Sequence, residues 1–188
     1  MFLDLARKRR SVRQYTEDPV EREKIELCLE AARLSPSACN AQPWKFLVVD
    51  DPVLVKRVAQ ATFDSVVRFN RFVLQAPVII LFISEPANLE SKIGSGVRRI
   101  PLPLIDLGIA AAHFTLQAAE LGLGTCILGW LREGEIRKIV NIPSGKRIPL
   151  AITLGYPKKE ADIPKIRKEF SEIVLYNSYQ NTTSKKAL

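Results

Sequence analysis

The sequence predicts a layered fold of mixed α and β structure, and three observations lead there. Strand-like and helix-like segments alternate along the chain instead of separating into blocks. Pro77–Ser84 (PVIILFIS) is β-branched and aromatic without polar alternation, as a central strand covered on both faces would be. Leu104–Leu121 is a charge-poor helical pattern containing Ala110, Ala111, Ala112, Leu116, Ala118 and Ala119, a small-residue surface that implies close packing and deep burial. An α/β or α+β arrangement accommodates all three.

The elements follow in order. Asp4–Arg10 suits a short first helix ending near Ser11–Tyr15. Asp18-Pro19 has the form of a helix start, aspartate as cap and proline in the first turn. The helix behind it carries Ile25, Cys28, Leu29 and Ala32 on one face and stops at Leu34-Ser35-Pro36. A polar loop over Ser37–Pro43 leads into a strand, Lys45–Asp50. Asp51-Pro52 repeats the cap-plus-proline signal for a helix reaching about Thr62, and Asp64–Gln75 reads as a further helix. Glu85–Pro103 is Gly-, Pro- and Ser-rich, a long connection of the kind that often forms a lid or binding segment. Gly122 and Gly124 stop the alanine-rich helix. Thr125–Gly129 is a short strand, Glu133–Val140 a short helix and Arg147–Gly155 a strand. Residues 1–176 are expected to form one domain, with a flexible tail over 177–188.

Composition excludes several classes. No apolar run reaches the roughly 18 residues of a bilayer span, the longest candidate, Ala76–Ser84, being strand-length, and Met1–Arg13 lacks the marks of a signal peptide. A soluble, cytoplasmic protein is expected. The three cysteines, Cys28, Cys39 and Cys126, form no CxxC pair and read as buried or partly buried thiols of a reducing compartment. The single histidine, His113, lies in an apolar helical pattern without clustered partners, so no metal site is expected. The net charge is +8, and basic residues crowd the two ends: Arg7, Lys8, Arg9, Arg10 and Arg13, then Lys158, Lys159, Lys165, Arg167 and Lys168. Such a balance suits nucleic acid, an anionic surface or anionic small molecules. No aromatic-interleaved basic surface supports the first.

Three stretches carry possible chemistry, and each also has a plain structural account. Arg9-Arg10-Ser11-Val12-Arg13 offers three guanidinium groups and a hydroxyl, suited to phosphate, though a basic helix end is usually solvated surface. Ser35–Trp44 (SPSACNAQPW) is stiffened by two prolines and presents Asn40 and Gln42, each both donor and acceptor; such amides also satisfy their own backbone. Lys165-Ile166-Arg167-Lys168 reads alone as a solubilising run. GLGTCILG contains GxG but lacks the third glycine, and it runs from helix to strand, the reverse of a Rossmann dinucleotide fingerprint.

Together, RRSVR before an amphipathic helix and SPSACNAQPWKFLVV after it resemble the nitroreductase family, with looser likeness in GLGTCILGW, ITLGYP and KIRKEF. The resemblance covers about residues 6 to 175. It implies an α+β fold, a mainly antiparallel sheet wrapped by helices, with a C-terminal arm extending onto a dimer partner. It implies FMN as cofactor and NADH or NADPH as electron donor. Hydride would pass by a ping-pong route through the flavin to nitroaromatics, quinones or similar small acceptors, with no catalytic side chain. Arg9, Arg10, Ser11 and Arg13 match the family's first FMN-binding run, Arg13 near the flavin pyrimidine edge. Pro36, Ser37, Ala38, Asn40 and Gln42 match a segment reaching the neighbouring subunit's flavin. Leu128 and Gly129 match a segment passing close to the ring. Lys165 and Arg167 resemble a C-terminal phosphate clamp, in which Lys168 competes with Lys165 for the lysine's place. The implied assembly is a homodimer with FMN at the interface and the 104–121 helix a candidate for its core. Competing readings are a specialised member performing reductive dehalogenation or flavin fragmentation, a flavin-binding protein without turnover, and a basic module binding nucleic acid or other anions without redox activity.

Overall fold

The computed structural model describes residues 1–86, 100–158 and 165–179. Most of the expected 85–103 connection and of the 177–188 tail, together with Lys159, lies outside the described residues. In chain order the elements are α1 (Phe2–Lys8), α2 (Arg22–Arg33), a 3-10 turn (Ala38–Asn40), β1 (Trp44–Val49), α3 (Pro52–Gln60), a 3-10 stretch (Phe69–Gln75), β2 (Val78–Ser84), α4 (Leu102–Glu120), β3 (Gly124–Leu128), α5 (Glu133–Ile139), β4 (Arg147–Gly155) and α6 (Phe170–Ile173). The four strands form one sheet in the order β1-β2-β4-β3, antiparallel at every step. This is the α+β arrangement implied by the family resemblance.

The unbroken apolar run of β2 reflects its place. Alternate side chains serve two cores, because successive residues of a strand point to opposite faces. Val78, Ile80 and Phe82 pack with α2 and α4; Ile79, Leu81 and Ile83 pack with α3 and α5. On the first face Phe82 meets Phe114 of α4 edge-on at 6.1 Å and Phe46 at 4.8 Å. On α2, Ile25, Cys28 and Ala32 are buried as their spacing predicts, and burial pushes the Cys28 thiol up to about 12. Asp51 caps α3 through its Oδ1, 2.9 Å from the Leu54 amide.

Four expectations are corrected. Asp18-Pro19 does not open α2. Thr16 donates to the Tyr156 carbonyl at 2.9 Å and Lys158 to that of Gln14 at 3.0 Å, pinning residues 14–16 as an extended segment, and the helix starts only after Glu21. Asp64–Gln75 is not one α-helix. The Asp64 carboxylate accepts from the amides of Val66 and Val67 at 2.8 and 2.7 Å, closing a local turn, and only Phe69–Gln75 coils, as 3-10 helix. Gly124 belongs to β3, whereas Gly122, at φ +75°, ends α4. There the Leu123 amide reaches the Ala118 carbonyl at 2.8 Å and the Gly122 amide that of Ala119 at 3.3 Å. Finally, α4, at 19 residues, is long and apolar enough by length and composition to cross a membrane, despite Asp106 interrupting the run. In this fold 44% of its most apolar stretch is buried, against the sheet and α2.

Glu133, at the start of α5, ties that helix to β4. Its carboxylate accepts from Arg147 Nε at 3.0 Å and Nη2 at 2.9 Å, and from the Ile148 amide at 3.0 Å. Arg147 is the chief reason its pKa falls below the ordinary value. The lowered folded-state pKa means that this contribution is present above the ordinary glutamate pKa of 4.5 and is lost as pH falls through the lowered value. Glu133→Gln is expected to destabilise the fold by roughly 1–3 kcal/mol at neutral pH. Urea unfolding from pH 7 to pH 3 should show the gap between variant and parent closing in acid.

Candidate functional site: a cationic cavity where the chain ends meet

The sheet order leaves one edge of β3 open, and the N-terminal run lies along it. Ser11 bridges Thr125 in parallel sense, and the Val12 amide donates to the Thr125 carbonyl at 2.8 Å. The approach is close because Gly124 carries no side chain. A Cβ there would stand 2.8 to 2.9 Å from Val12 Cγ2, Cβ and Cγ1. Half-buried Val12 thus seats against the sheet edge while its neighbours Ser11 and Arg13 stay exposed.

A cavity of about 600 Å³ opens beside this run. Lys8, Arg9, Arg10, Ser11 and Arg13 line it from one chain end, Lys165 and Arg167 from the other, and the Gly122–Thr125 turn forms its floor. Among the described residues, no carboxylate lines it. A concave, low-dielectric surface bearing one sign of charge concentrates counter-ions, here anions. The Arg13 guanidinium lies over the Phe72 ring, 5.8 Å from its centroid. Behind the run, burial raises the pKa of the Cys126 thiol, opposed by the charge of Arg13, a hydrogen bond from Ser11 and the charge of Arg9.

The expected residues therefore divide. Arg9, Arg10, Ser11, Arg13, Lys165 and Arg167 meet at one cavity. Lys165 contributes unexpectedly: its Nζ donates to the carbonyls of Ala6 at 2.6 Å and Arg9 at 2.8 Å, capping the end of α1 and joining the chain termini. Burial, then Arg9, Arg167 and Arg10, lowers its pKa. Arg167 Nη1 donates to the Ile166 carbonyl at 2.6 Å.

Pro36, Ser37, Ala38, Asn40 and Gln42 do not line this cavity, and neither do Leu128 and Gly129. The 36–42 loop is anchored elsewhere: the Ala38 amide donates to Asp106 Oδ1 of α4 at 3.1 Å, and the Gln42 amide to Ser37 Oγ at 3.0 Å. Cys39, Asn40 and Gln42 take left-handed φ values of 51°, 51° and 44°. Non-glycine residues rarely adopt this region, and it recurs at ligand sites. The result is an exposed turn whose Asn40 and Gln42 amides lie 3.2 Å apart. Cys39 is exposed on it, not buried as expected. Leu128 packs in the second core, and exposed Gly129 follows it.

Sequence reasoning missed Val12, Gly124 and Asp106. Asp106 is 3% exposed, and among the described residues its Oδ2 has no hydrogen-bond partner. A lone carboxylate in a charge-poor helix was a signal. Gly124 gave only an ambiguous one, since a glycine after a helix also reads as its stop.

The chain is thus an α+β protein with an anion-attracting cavity on a sheet edge and a separate amide-bearing turn. Residues 6–156 match the Nitroreductase family model, and the chain belongs to that family. It is 30% identical to a NADH dehydrogenase of Thermus thermophilus over 91% of this chain and 93% of that one. It is 29% identical to an iodotyrosine deiodinase of Thermotoga neapolitana over 95% and 99% of the two chains. A solved FMN-dependent nitroreductase of Clostridium difficile superposes with a TM-score of 0.76 at 28% identity, covering 94% of this chain and 99% of that one.

Gly124→Ala is expected to push Val12 off the sheet edge, with overpacking costing about 1–3 kcal/mol. Inorganic pyrophosphate should raise the thermal midpoint of the parent protein more than that of the variant. Equal shifts in a melting series would show that the Val12 seat does not shape the cavity.

Proposed function

We propose that this protein is an FMN-dependent oxidoreductase that transfers hydride from NADH or NADPH, by way of the flavin, to quinones, nitroaromatics or similar small acceptors in a ping-pong cycle. The observation that carries the proposal is the cationic cavity assembled from both chain ends, which no carboxylate lines among the described residues. Its donor set fits a flavin phosphate: guanidinium groups pair with phosphate oxygens through charge-assisted hydrogen bonds. Arg9, Arg10, Ser11 and Arg167 would hold the phosphate, and Arg13 would face the ring. Bound FMN would supply the two-electron redox chemistry. Arg13, held over Phe72, would place positive charge where reduction builds negative charge and so favour the reduced form. The protein's work is binding, orientation and electrostatic tuning, and no side chain is assigned as acid or base.

The turn bearing Pro36, Ser37, Ala38, Asn40 and Gln42 would grip the ring from a second copy of the chain, because within one copy it does not line the cavity. Leu128 and Gly129 would border the ring. Exposed apolar side chains support a homodimer: Phe2 and Leu3 on α1, Leu104 and Ile105 on α4, and Phe170, Ile173 and Tyr176 near the C-terminus. Exposed large apolar side chains in such number are what an association surface would cover. Reductive dehalogenation is a second reading, favoured by the likeness to iodotyrosine deiodinase over nearly the whole chain. Iodide release from iodotyrosine against NADH consumption with a quinone separates the two.

Purified protein is expected to be yellow and to release FMN on denaturation, and anaerobic NADH or NADPH should bleach it. A colourless protein that ignores added FMN sinks the proposal. Arg13→Ala is expected to weaken FMN at least tenfold by fluorescence quenching. Asn40→Ala should shift the bound flavin's absorption while leaving the thermal midpoint of the apo-protein nearly unchanged.

A further inference from the structure

We propose that Tyr15 is a positioning residue for the anion site: its buried hydroxyl, braced by Thr153, holds the Val12 carbonyl and so fixes the angle at which Ser11 and Arg13 meet a phosphate-bearing ligand. The identity of that ligand as FMN rests on the reading above; the role itself requires only an anion.

Tyr15 is 3% exposed, and Thr153 is fully buried. The tyrosine Oη lies 2.9 Å from the Val12 carbonyl and 2.7 Å from Thr153 Oγ1. A phenol has one hydrogen and a carbonyl can only accept, so Tyr15 donates to Val12 and Thr153 donates to Tyr15. The Cys126 amide donates in turn to Thr153 Oγ1 at 3.2 Å, while the Cys126 carbonyl, at 3.3 Å, is a more distant competitor for the threonine hydrogen. The hydrogen bonds therefore run in one direction, from β3 through β4 into the N-terminal run. Burial raises the phenol's pKa above its ordinary 10, so the donor keeps its proton throughout the neutral range.

Val12 is consequently held at three points. Its amide is on Thr125, its carbonyl on Tyr15 and its side chain on Gly124. Gly124 and Gly155 face each other in the β3–β4 register, and a Cβ at Gly155 would meet Tyr15 Cδ1 at 2.9 Å. The paired glycines thus make room for both Val12 and the tyrosine ring. With both peptide groups of Val12 tethered, the exposed residues on either side have little freedom to turn. Tyr15 does not line the cavity and acts on it only through Val12.

The test titrates full-length wild type, Tyr15→Phe and Thr153→Val, each first stripped of any flavin it carries, with FMN, riboflavin and inorganic pyrophosphate, by calorimetry well below each protein's unfolding midpoint. Phenylalanine keeps the ring in its seat, and valine keeps the shape of threonine. Both variants are expected to lose about tenfold in affinity for FMN and for pyrophosphate, the two phosphate-bearing probes, while riboflavin, which lacks the phosphate and meets only Arg13, loses no more than about threefold. Unchanged FMN and pyrophosphate affinities in Tyr15→Phe overturn the proposal. A parallel loss on riboflavin also overturns it, since that pattern marks general loosening of the fold. Wild type that takes pyrophosphate but neither flavin refutes the FMN reading, and the pyrophosphate comparison then decides the role of Tyr15. Wild type that binds none of the probes removes both.

Discussion

Two segments of like charge lie side by side in this fold, and backbone hydrogen bonding keeps them there. Arg9, Arg10, Arg167 and Lys165 meet around a cavity that no carboxylate lines among the described residues. The Lys165 ammonium is turned onto the last carbonyls of α1, where the negative end of the helix dipole favours a cation. The run from Arg9 to Arg13 is tied to β3 by the Val12 amide. The two cationic segments are thereby held beside one cavity by contacts to backbone rather than by contact with each other.

The same arrangement closes a sheet edge. β3 is the outermost strand beside β4, and an open edge presents unpaired backbone groups that invite pairing with other chains. The parallel bridge between Ser11 and Thr125 covers part of that edge with the binding run itself. Protection of the edge and placement of the cavity-lining residues Ser11 and Arg13 are one structural act, and Gly124 permits both. A side chain at that position would separate the run from the sheet and leave the edge bare.

Much of this was legible in the sequence, for physical reasons that differ by element. β2 could be read because a strand buried on both faces cannot alternate. α2 could be read because Ile25, Cys28 and Ala32 recur at helical spacing, and the basic ends because charge is visible without a fold. The start of α2 was not legible, since Asp18-Pro19 has the local form of a cap and only long-range pairing with residues 156–158 overrides it. The 64–75 segment was misread for a related reason: Asp64 can either cap a helix or close a turn, and the chain around it decides. At the site, the charged residues were apparent but the apolar seat was not. Nothing local distinguishes Val12 from any other valine, and Gly124 acquires meaning only when Val12 is beside it. Lys165 shows the opposite limit: its charge was evident, while its use as a carbonyl cap depends on where α1 ends.

The location of the charge, more than its amount, argues for the ligand class. A net charge of +8 spread along a face or a helix would suit a polyanion, whose phosphates are spaced along an extended path and whose specific interfaces bury on the order of 600 Å² or more of protein surface even for single small modules. Here the cations that the fold brings together line a cavity of about 600 Å³ floored by a tight glycine-bearing turn. Concave sites of that size enclose most of a small molecule and exclude a duplex. Hydrogen-bonded backbone and packed apolar side chains fix the run from which Arg9, Arg10 and Arg13 extend. The Asn40–Gln42 turn offers neutral amide donors and acceptors away from this cavity, held by Asp106 in a backbone conformation that non-glycine residues seldom take. If the charged pocket and the amide-bearing turn serve one ligand, as proposed above, their separation within one chain calls for a second copy to bring them together.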